Sequence, residues 1–271
     1  MQIPSIIFGT FQHHNEEVLH TLVDAAYEHG IIGFDTSPSY QTEEMLGNSI
    51  KRLLSNKNLQ RNDIFIQDKI DGWQMEESKG NITKYVDSSL QKLKSDYIDV
   101  LLIHWPFPDF LEKTWIKFLE LKEKGKIKYI GLSNVRERHV NNLIKKTGII
   151  PDVIQIERHP LRTCLKDIDF FHSQNIKVQA YSPICRMDNR LRESVVLNQI
   201  AEKYNKSISQ IILRWHIDTN VIPVFMTSKI TRIKENIQIF DIKLTQNEIM
   251  AINALNINYK IFVESTCCPG I

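Results

Sequence analysis

The sequence predicts an α/β chain that closes as a (β/α)8 TIM barrel. Three observations carry this: eight short apolar runs rich in β-branched residues, amphipathic segments of helical period between them, and little else. No Pro-, Gly- or Ser-rich linker, low-complexity tract or solenoid period interrupts the 271 residues, so a single domain spanning 1–271 is expected. Barrels of this type regularly reach that length as one unit.

The first run, IIFGT (6–10), is followed by EEVLHTLVDAAYEHG, a helical pattern whose closing glycine suits a helix stop. IIGFD (31–35), DIFIQDK (63–69) and IDVLLIH (98–104) are the next three strands, with TKYVDSSLQKLK reading as the helix between the third and fourth. IKYIGLS (127–133), DVIQIE (152–157), KVQAYSP (177–183) and VIPVFM (221–226) complete the eight, and LEKTWIKFLELKEKG and VRERHVNNLIKK flank the fifth. Between the seventh and eighth strands the alternation is broken by an additional helical segment, RESVVLNQIAEKYN. Ser207 to Gln210 then form a capping-box pattern ahead of IILRWHID.

Barrels of this fold carry their chemistry at the C-terminal ends of the strands. Three such ends here bear residues able to take part in proton transfer: Asp35 and Tyr40 at or after the second, Lys69 at the third and His104 at the fourth. A phenol titrates near pH 10, so a tyrosine acts as an acid near neutrality only where something favours its phenolate. An ammonium beside it has that effect, and a carboxylate holds the ammonium. Lys69 is therefore expected to tune Tyr40, and Asp35 to hold Lys69. A histidine opposite can donate a hydrogen bond to a carbonyl oxygen and stabilise charge developing there. Taken singly, the four read as a turn acid, a packing aromatic, a strand-end charge and a core histidine; their joint placement favours chemistry.

With these residues identified, the chain resembles the aldo-keto reductase superfamily from Gly9 to Asn253. The first motif of that family stands here as Asp35, Thr36, Ser37, Tyr40, Glu43 and Gly47, with Ser37 in place of a small alanine. The resemblance implies a tetrad of Asp35, Tyr40, Lys69 and His104 and a nicotinamide cofactor. It further implies that Ser133, Asn134 and Gln155 bind the nicotinamide carboxamide, that Tyr181 stacks on the ring, and that Ser182 adjoins them. At the adenosine end it implies Arg232 and Asn236, with Thr227, Ser228 and Lys229 as companions at a helix N-terminus, where backbone amides favour an anion. Many relatives have Ile-Pro-Lys at the eighth strand end, where this chain has Ile222, Pro223 and Val224. NADPH is the expected cofactor, with NADH as the alternative.

Only WPFPDF separates His104 from the helix starting near Leu111, and the tail after the last helix is short. A shallow pocket lined by Phe11, Trp105 and Trp73 is expected, suited to small aldehydes or ketones, although the same aromatics also read as ordinary packing. Other functions stay open: a cofactor-binding regulatory protein with little turnover, or a barrel aldolase with Lys69 as Schiff-base nucleophile.

Composition bounds the partners. Lys and Arg number 34 against 32 acids, a net charge of +2 that gives no reason to expect nucleic acid or an anionic membrane. MQIPSIIFGTFQ lacks a basic leader region, and no apolar run reaches membrane-spanning length, so a cytoplasmic protein, monomeric or weakly homo-oligomeric, is expected. Cys164, Cys185, Cys267 and Cys268 show no C-x-x-C spacing and make no disulfide framework; a bland role is expected even for the adjacent pair. The acids and histidines show no clustered ligand spacing, so no metal is expected.

Overall fold

In a computed structural model, which describes residues 3–107 and 109–263, eight parallel strands close into a barrel in sequence order. They are β1 (Ile7–Gly9), β2 (Gly33–Asp35), β3 (Phe65–Ile70), β4 (Ile98–Ile103), β5 (Ile127–Ser133), β6 (Val153–Glu157), β7 (Lys177–Tyr181) and β8 (Val221–Phe225). Each expected run contains its strand except the third, which stops at Lys69 where β3 continues to Ile70. The runs overshoot chiefly where the chain leaves the ladder, as at His104 and Ser182, because those positions already belong to the loops.

Period-2 alternation divides each strand between two surroundings. One set of side chains meets the surrounding helices in the main core, exemplified by Phe8, Phe34, Ile66, Leu101 and Val178. The other set fills the barrel interior. Ile7, Phe65, Val100, Leu102, Val153 and Val224 form a separate apolar cluster there. Beside it lies a polar layer of three fully buried glutamines, Gln67, Gln155 and Gln179, from β3, β6 and β7. Gln179 Nε2 donates to Gln67 Oε1 (2.8 Å), and Gln155 Nε2 donates to Gln179 Oε1 (3.0 Å). Such linkage satisfies amides that would otherwise cost free energy to bury.

Two glycines mark close approaches. A Cβ on Gly131 would lie 2.2 Å from the Val153 carbonyl oxygen where β5 meets β6. On Gly47 it would lie 2.2 Å from the Lys92 carbonyl oxygen, where the helix Glu43–Lys57 crosses the end of the helix Thr83–Leu93. Glu43 joins the same two helices: its buried carboxylate accepts from Ser89 Oγ (2.6 Å) and Lys92 Nζ (2.8 Å).

The extra segment between β7 and β8 is helical at Asn189–Arg192 and Val195–Tyr204. The expected capping box opens the helix Ile208–Asp218, with Ser207 N–H donating to Gln210 Oε1 (2.9 Å). Trp215, Leu197, Ile211 and Ile252 bury a second core there. Among the described residues no helix is long and apolar enough to cross a membrane, and Cys164 and Cys185 are free thiols. Cys267 and Cys268 lie outside the described residues.

Candidate active site

The ends of β2, β3 and β4 bring Asp35, Tyr40, Lys69 and His104 together. Lys69 is fully buried. Its ammonium donates to Asp35 Oδ1 (2.7 Å), Asp35 Oδ2 (2.8 Å) and the Thr36 carbonyl oxygen (2.8 Å). Asp35 Oδ2 also accepts from Gln67 Nε2 (2.6 Å) and Gln155 Nε2 (3.1 Å), so the glutamine layer supports the ion pair. A lysine has three N–H donors and all are committed. Lys69 therefore presents no free amine to the cavity, a geometry unlike that of a Schiff-base nucleophile.

Tyr40 follows from the loop after β2, with its ring edge-on to Phe11 (centroids 5.1 Å apart) and to His104 (5.7 Å). The sequence led us to expect the Lys69 ammonium beside Tyr40, and Lys69 Nζ sits over the ring, 4.8 Å from its centre. Burial, followed by the negative charges of Asp35, Asp71 and Asp68, pushes the phenol well above its ordinary value of 10. Tyr40 thus holds its proton, which reverses the expected direction of tuning.

Asp71, two residues beyond Lys69, was missed by the sequence reading. His104 Nδ1 lies 2.5 Å from Asp71 Oδ1. Asp71 also accepts from the backbone N–H of Ser39 (3.0 Å) and from the hydroxyls of Ser39 and Ser37, each at 3.3 Å. Burial pushes the Asp71 carboxyl up, but the His104 hydrogen bond and charge, the Ser39 N–H and Lys69 outweigh it and hold the group below its ordinary value. The D-K-I-D spacing, two acids flanking a lysine at a strand end, was the available signal.

These groups border a cavity of about 450 Å³ whose wall includes Tyr40, Asp71, His104, Trp105, Phe11 and the half-exposed Trp73. Trp73 also packs edge-on against Tyr85. Asn134, Gln155 and Tyr181 line the same cavity. Tyr181 Oη donates to Asn134 Oδ1 (2.7 Å), and Asn134 Nδ2 donates to the His104 carbonyl oxygen (2.9 Å) and Ser133 Oγ (3.2 Å). Ser133 is buried beneath them. Both amide hydrogens of Gln155 are directed into the barrel, which leaves its Oε1 as the group available to a ligand.

A second cavity of about 660 Å³ shares Phe11, Ser182, Val224, Met226 and Phe262 with the first. Thr227, Ser228, Arg232 and Asn236 line it. Lys229 is not part of that wall; it directly precedes the helix Ile230–Ile237 and donates its backbone N–H to Thr227 Oγ1 (3.2 Å). Two arginines that the sequence reading overlooked, Arg186 and Arg192, join Arg232, with Glu235 as the acid on the same wall. The loop carrying Arg186 has no glycine, yet Ser182, Cys185, Arg186 and Met187 all take left-handed backbone conformations (φ 48° to 53°). Each such residue stores local strain, of a kind often found beside binding sites.

Phe262, from the tail, was also missed. Its ring packs edge-on against Tyr181 at 5.7 Å, and Arg186 stacks on it at 5.4 Å. Glu157 at the end of β6 anchors the segment by accepting from the backbone N–H groups of Ile261 (2.7 Å) and Phe262 (3.0 Å). A short tail thus still forms part of the cavity wall.

Fold and site define a barrel enzyme whose buried ion pair and ionisable cluster sit at the C-terminal strand ends. The chain belongs to the aldo/keto reductase family, whose model matches residues 5–257, and it is an oxidoreductase of a nicotinamide-using family. It is 36% identical over 256 residues to the glyoxal reductase of Bacillus subtilis, covering 94% of this chain and 90% of that protein. It is 32% identical to the methylglyoxal reductase DkgA of Escherichia coli O157:H7, covering 94% and 90%. The crystal structure of a Bombyx mori aldo-keto reductase in complex with NADP superposes with a TM-score of 0.90 at 30% identity, covering 97% of this chain and 92% of that one.

Proposed function

We propose that this chain reduces small aldehydes and ketones to alcohols with a reduced nicotinamide dinucleotide, NADPH in preference to NADH, and that residues 1–271 act as one catalytic domain. One observation carries the reading. Asp35, Tyr40, Lys69 and His104, from three different strand ends, converge beside a cavity that shares part of its wall with a second one bordered by three arginines. The relatives named for glyoxal and methylglyoxal point to small, reactive carbonyl compounds.

The residues present suit the cofactor. Gln155 Oε1, Ser133 and Asn134 offer polar partners to a carboxamide, and the Tyr181 ring offers an aromatic surface. Arg232, Arg186 and Arg192, with Ser182 after β7, Thr227, Ser228 and Lys229 just ahead of the helix Ile230–Ile237 and Asn236 within it, suit a phosphate-bearing adenosine end. The arginines would supply the positive charge that Val224 does not. When bound, the dinucleotide supplies the hydride that reduces the carbonyl carbon.

The chain's own residues handle the oxygen and its proton. Tyr40, held as the neutral phenol, gives its proton to the carbonyl oxygen as the alcohol forms, and His104 hydrogen-bonds that oxygen. Lys69, fixed by Asp35, places positive charge against the Tyr40 ring and stabilises the phenolate left behind. Phe11, Trp105 and Trp73 confine a small substrate.

The test is a steady-state assay following consumption of reduced nicotinamide with glyoxal, methylglyoxal and a bulky aromatic ketone. Turnover of the small compounds is expected, faster with NADPH. Tyr40→Phe should still quench on binding NADPH but lose roughly 10²–10⁴-fold in turnover. Failure of the wild-type protein to reduce any of the three would refute the reading, as would a fully active Tyr40→Phe.

A further inference from the structure

We propose that Asp71 is a positioning residue that fixes His104 with its Nδ1 hydrogen turned away from the substrate, so that Nε2 can hold a carbonyl oxygen only when the ring is protonated. The inference deepens the reductase reading and rests on it.

The argument begins with hydrogen accounting. Nδ1 of His104 and Oδ1 of Asp71 are 2.5 Å apart, and an ionised carboxylate only accepts. The hydrogen between them is therefore carried by Nδ1. Asp71 is suited to remain that acceptor, because Ser37 and Ser39 direct two hydroxyls and one backbone N–H at its oxygens. Ser37, the one departure in the first motif, is part of this arrangement, and its hydroxyl lies 3.3 Å from His104 Nδ1 as well. The ring is further held by its own strand end, where Asn134 Nδ2 bonds the His104 carbonyl oxygen.

With Nδ1 committed, the state of Nε2 follows. In a neutral imidazole only one nitrogen carries hydrogen, so Nε2 is then an acceptor. It makes no hydrogen bond to the described residues and belongs to a ring that borders the cavity. A neutral His104 meets a carbonyl oxygen lone pair to lone pair. The protonated ring donates to that oxygen, whereas the neutral ring accepts from the hydroxyl of an alcohol. Carbonyl reduction and alcohol oxidation are thus assigned to opposite protonation states of one residue.

The other ionisable groups facing His104 are Asp71 from the β3 end, Asp35 from the β2 end, Tyr40 from the loop after β2, Tyr181 from the β7 end, and Lys69 beneath. Tyr40 titrates too far above neutrality to produce the same signature. Asp71 is also the N-cap residue of the helix Gly72–Glu77, where its backbone N–H donates to Gln74 Oε1 (2.9 Å) and its carbonyl oxygen accepts from Gln74 N–H (3.1 Å). Those bonds belong to the backbone, so Asp71→Asn removes the charge and keeps the cap.

Two measurements decide the matter. Nitrogen-15 NMR of the cofactor-free wild type, with His104 assigned by its loss in His104→Gln, should show the neutral ring carrying hydrogen on Nδ1; hydrogen on Nε2 overturns the proposal without recourse to any Asp71 variant. In the kinetic arm, kcat/KM for reduction should fall about tenfold per pH unit above a single ionisation, while alcohol oxidation rises across it. Asp71→Asn should move that limb down by about one pH unit, the loss expected of a charge-assisted hydrogen bond. Identical limbs in wild type and variant overturn the proposal. If the wild type reduces no carbonyl compound, the reductase reading fails on its own, and the tautomer still decides where Asp71 directs His104.

Discussion

Lys69 Nζ lies 4.8 Å from the centre of the Tyr40 ring, with all three of its hydrogens spent on Asp35 and Thr36. The ammonium acts on the tyrosine as a fixed field rather than as a hydrogen-bond donor, and it is bound to its anion first. Lys69→Met should therefore damage stability as well as chemistry, because Asp35 would stay buried with only two glutamine amides. The loss of one partner of such a pair costs roughly 3–5 kcal/mol. Urea denaturation should show a loss of that order, and Asp35→Asn combined with Lys69→Met should recover most of it.

The second prediction concerns cofactor choice. Arg232, Arg186 and Arg192 border the cavity that begins beside Ser182. Removing one charge-assisted hydrogen bond to a phosphate costs roughly 1.5–3 kcal/mol, which is about 10- to 100-fold in Kd. Fluorescence titration of Arg232→Ala should show that loss for NADPH and little change for NADH. Equal losses for both would mean that Arg232 does not discriminate between them.

Asp68 provides a pH dependence. Its side chain is fully buried and neither oxygen has a partner among the described residues. Burial, then the nearby Glu43 charge, raises it well above the ordinary 3.8, outweighing the opposing pull of the Lys69 backbone N–H and ammonium and of the Ser89 hydroxyl, none of which comes into good hydrogen-bond geometry. A carboxyl raised in the fold binds its proton more tightly folded than unfolded. Its contribution is therefore most favourable below the unfolded value and is lost as pH rises from 3.8 towards the folded one. Relative to wild type, Asp68→Asn should gain stability between pH 4 and pH 7; chemical denaturation at the two values would show it, and a constant difference would contradict it.

Gly47 separates packing from chemistry. A methyl group there meets the Lys92 carbonyl oxygen at 2.2 Å, so Gly47→Ala must push two helices apart. We expect a loss of about 1–3 kcal/mol, read as a lower thermal midpoint, with turnover per folded molecule nearly unchanged.

Strand order and the placement of Asp35, Lys69 and His104 were legible because each depends on local pattern: an apolar run of fixed length, then a polar residue where the run stops. Asp71, Gln179 and Phe262 were not. Their importance comes from what the closed barrel sets opposite them: His104 from β4, Gln67 and Gln155 from β3 and β6, and Tyr181 from β7. A single sequence carries no record of such distant pairings. The first motif shows the same division. Asp35 and Tyr40 in it face the cavity, whereas Glu43 and Gly47 are spent on joining two helices. The direction of the Tyr40 shift was misread because it depends first on burial and then on the charges of Asp35, Asp71 and Asp68, and only the effect of the lysine on the phenol had been weighed.

The layer of Gln67, Gln155 and Gln179 grades the barrel axis from hydrocarbon, through neutral amides, to ions. An amide layer can reorient its dipoles in response to a charge appearing above it, which hydrocarbon cannot do. It also keeps the apolar plug from having to pack directly against a charged side chain. The two halves of the axis can therefore diverge separately: substitutions in the plug would be judged by volume alone, and substitutions above the amides by charge.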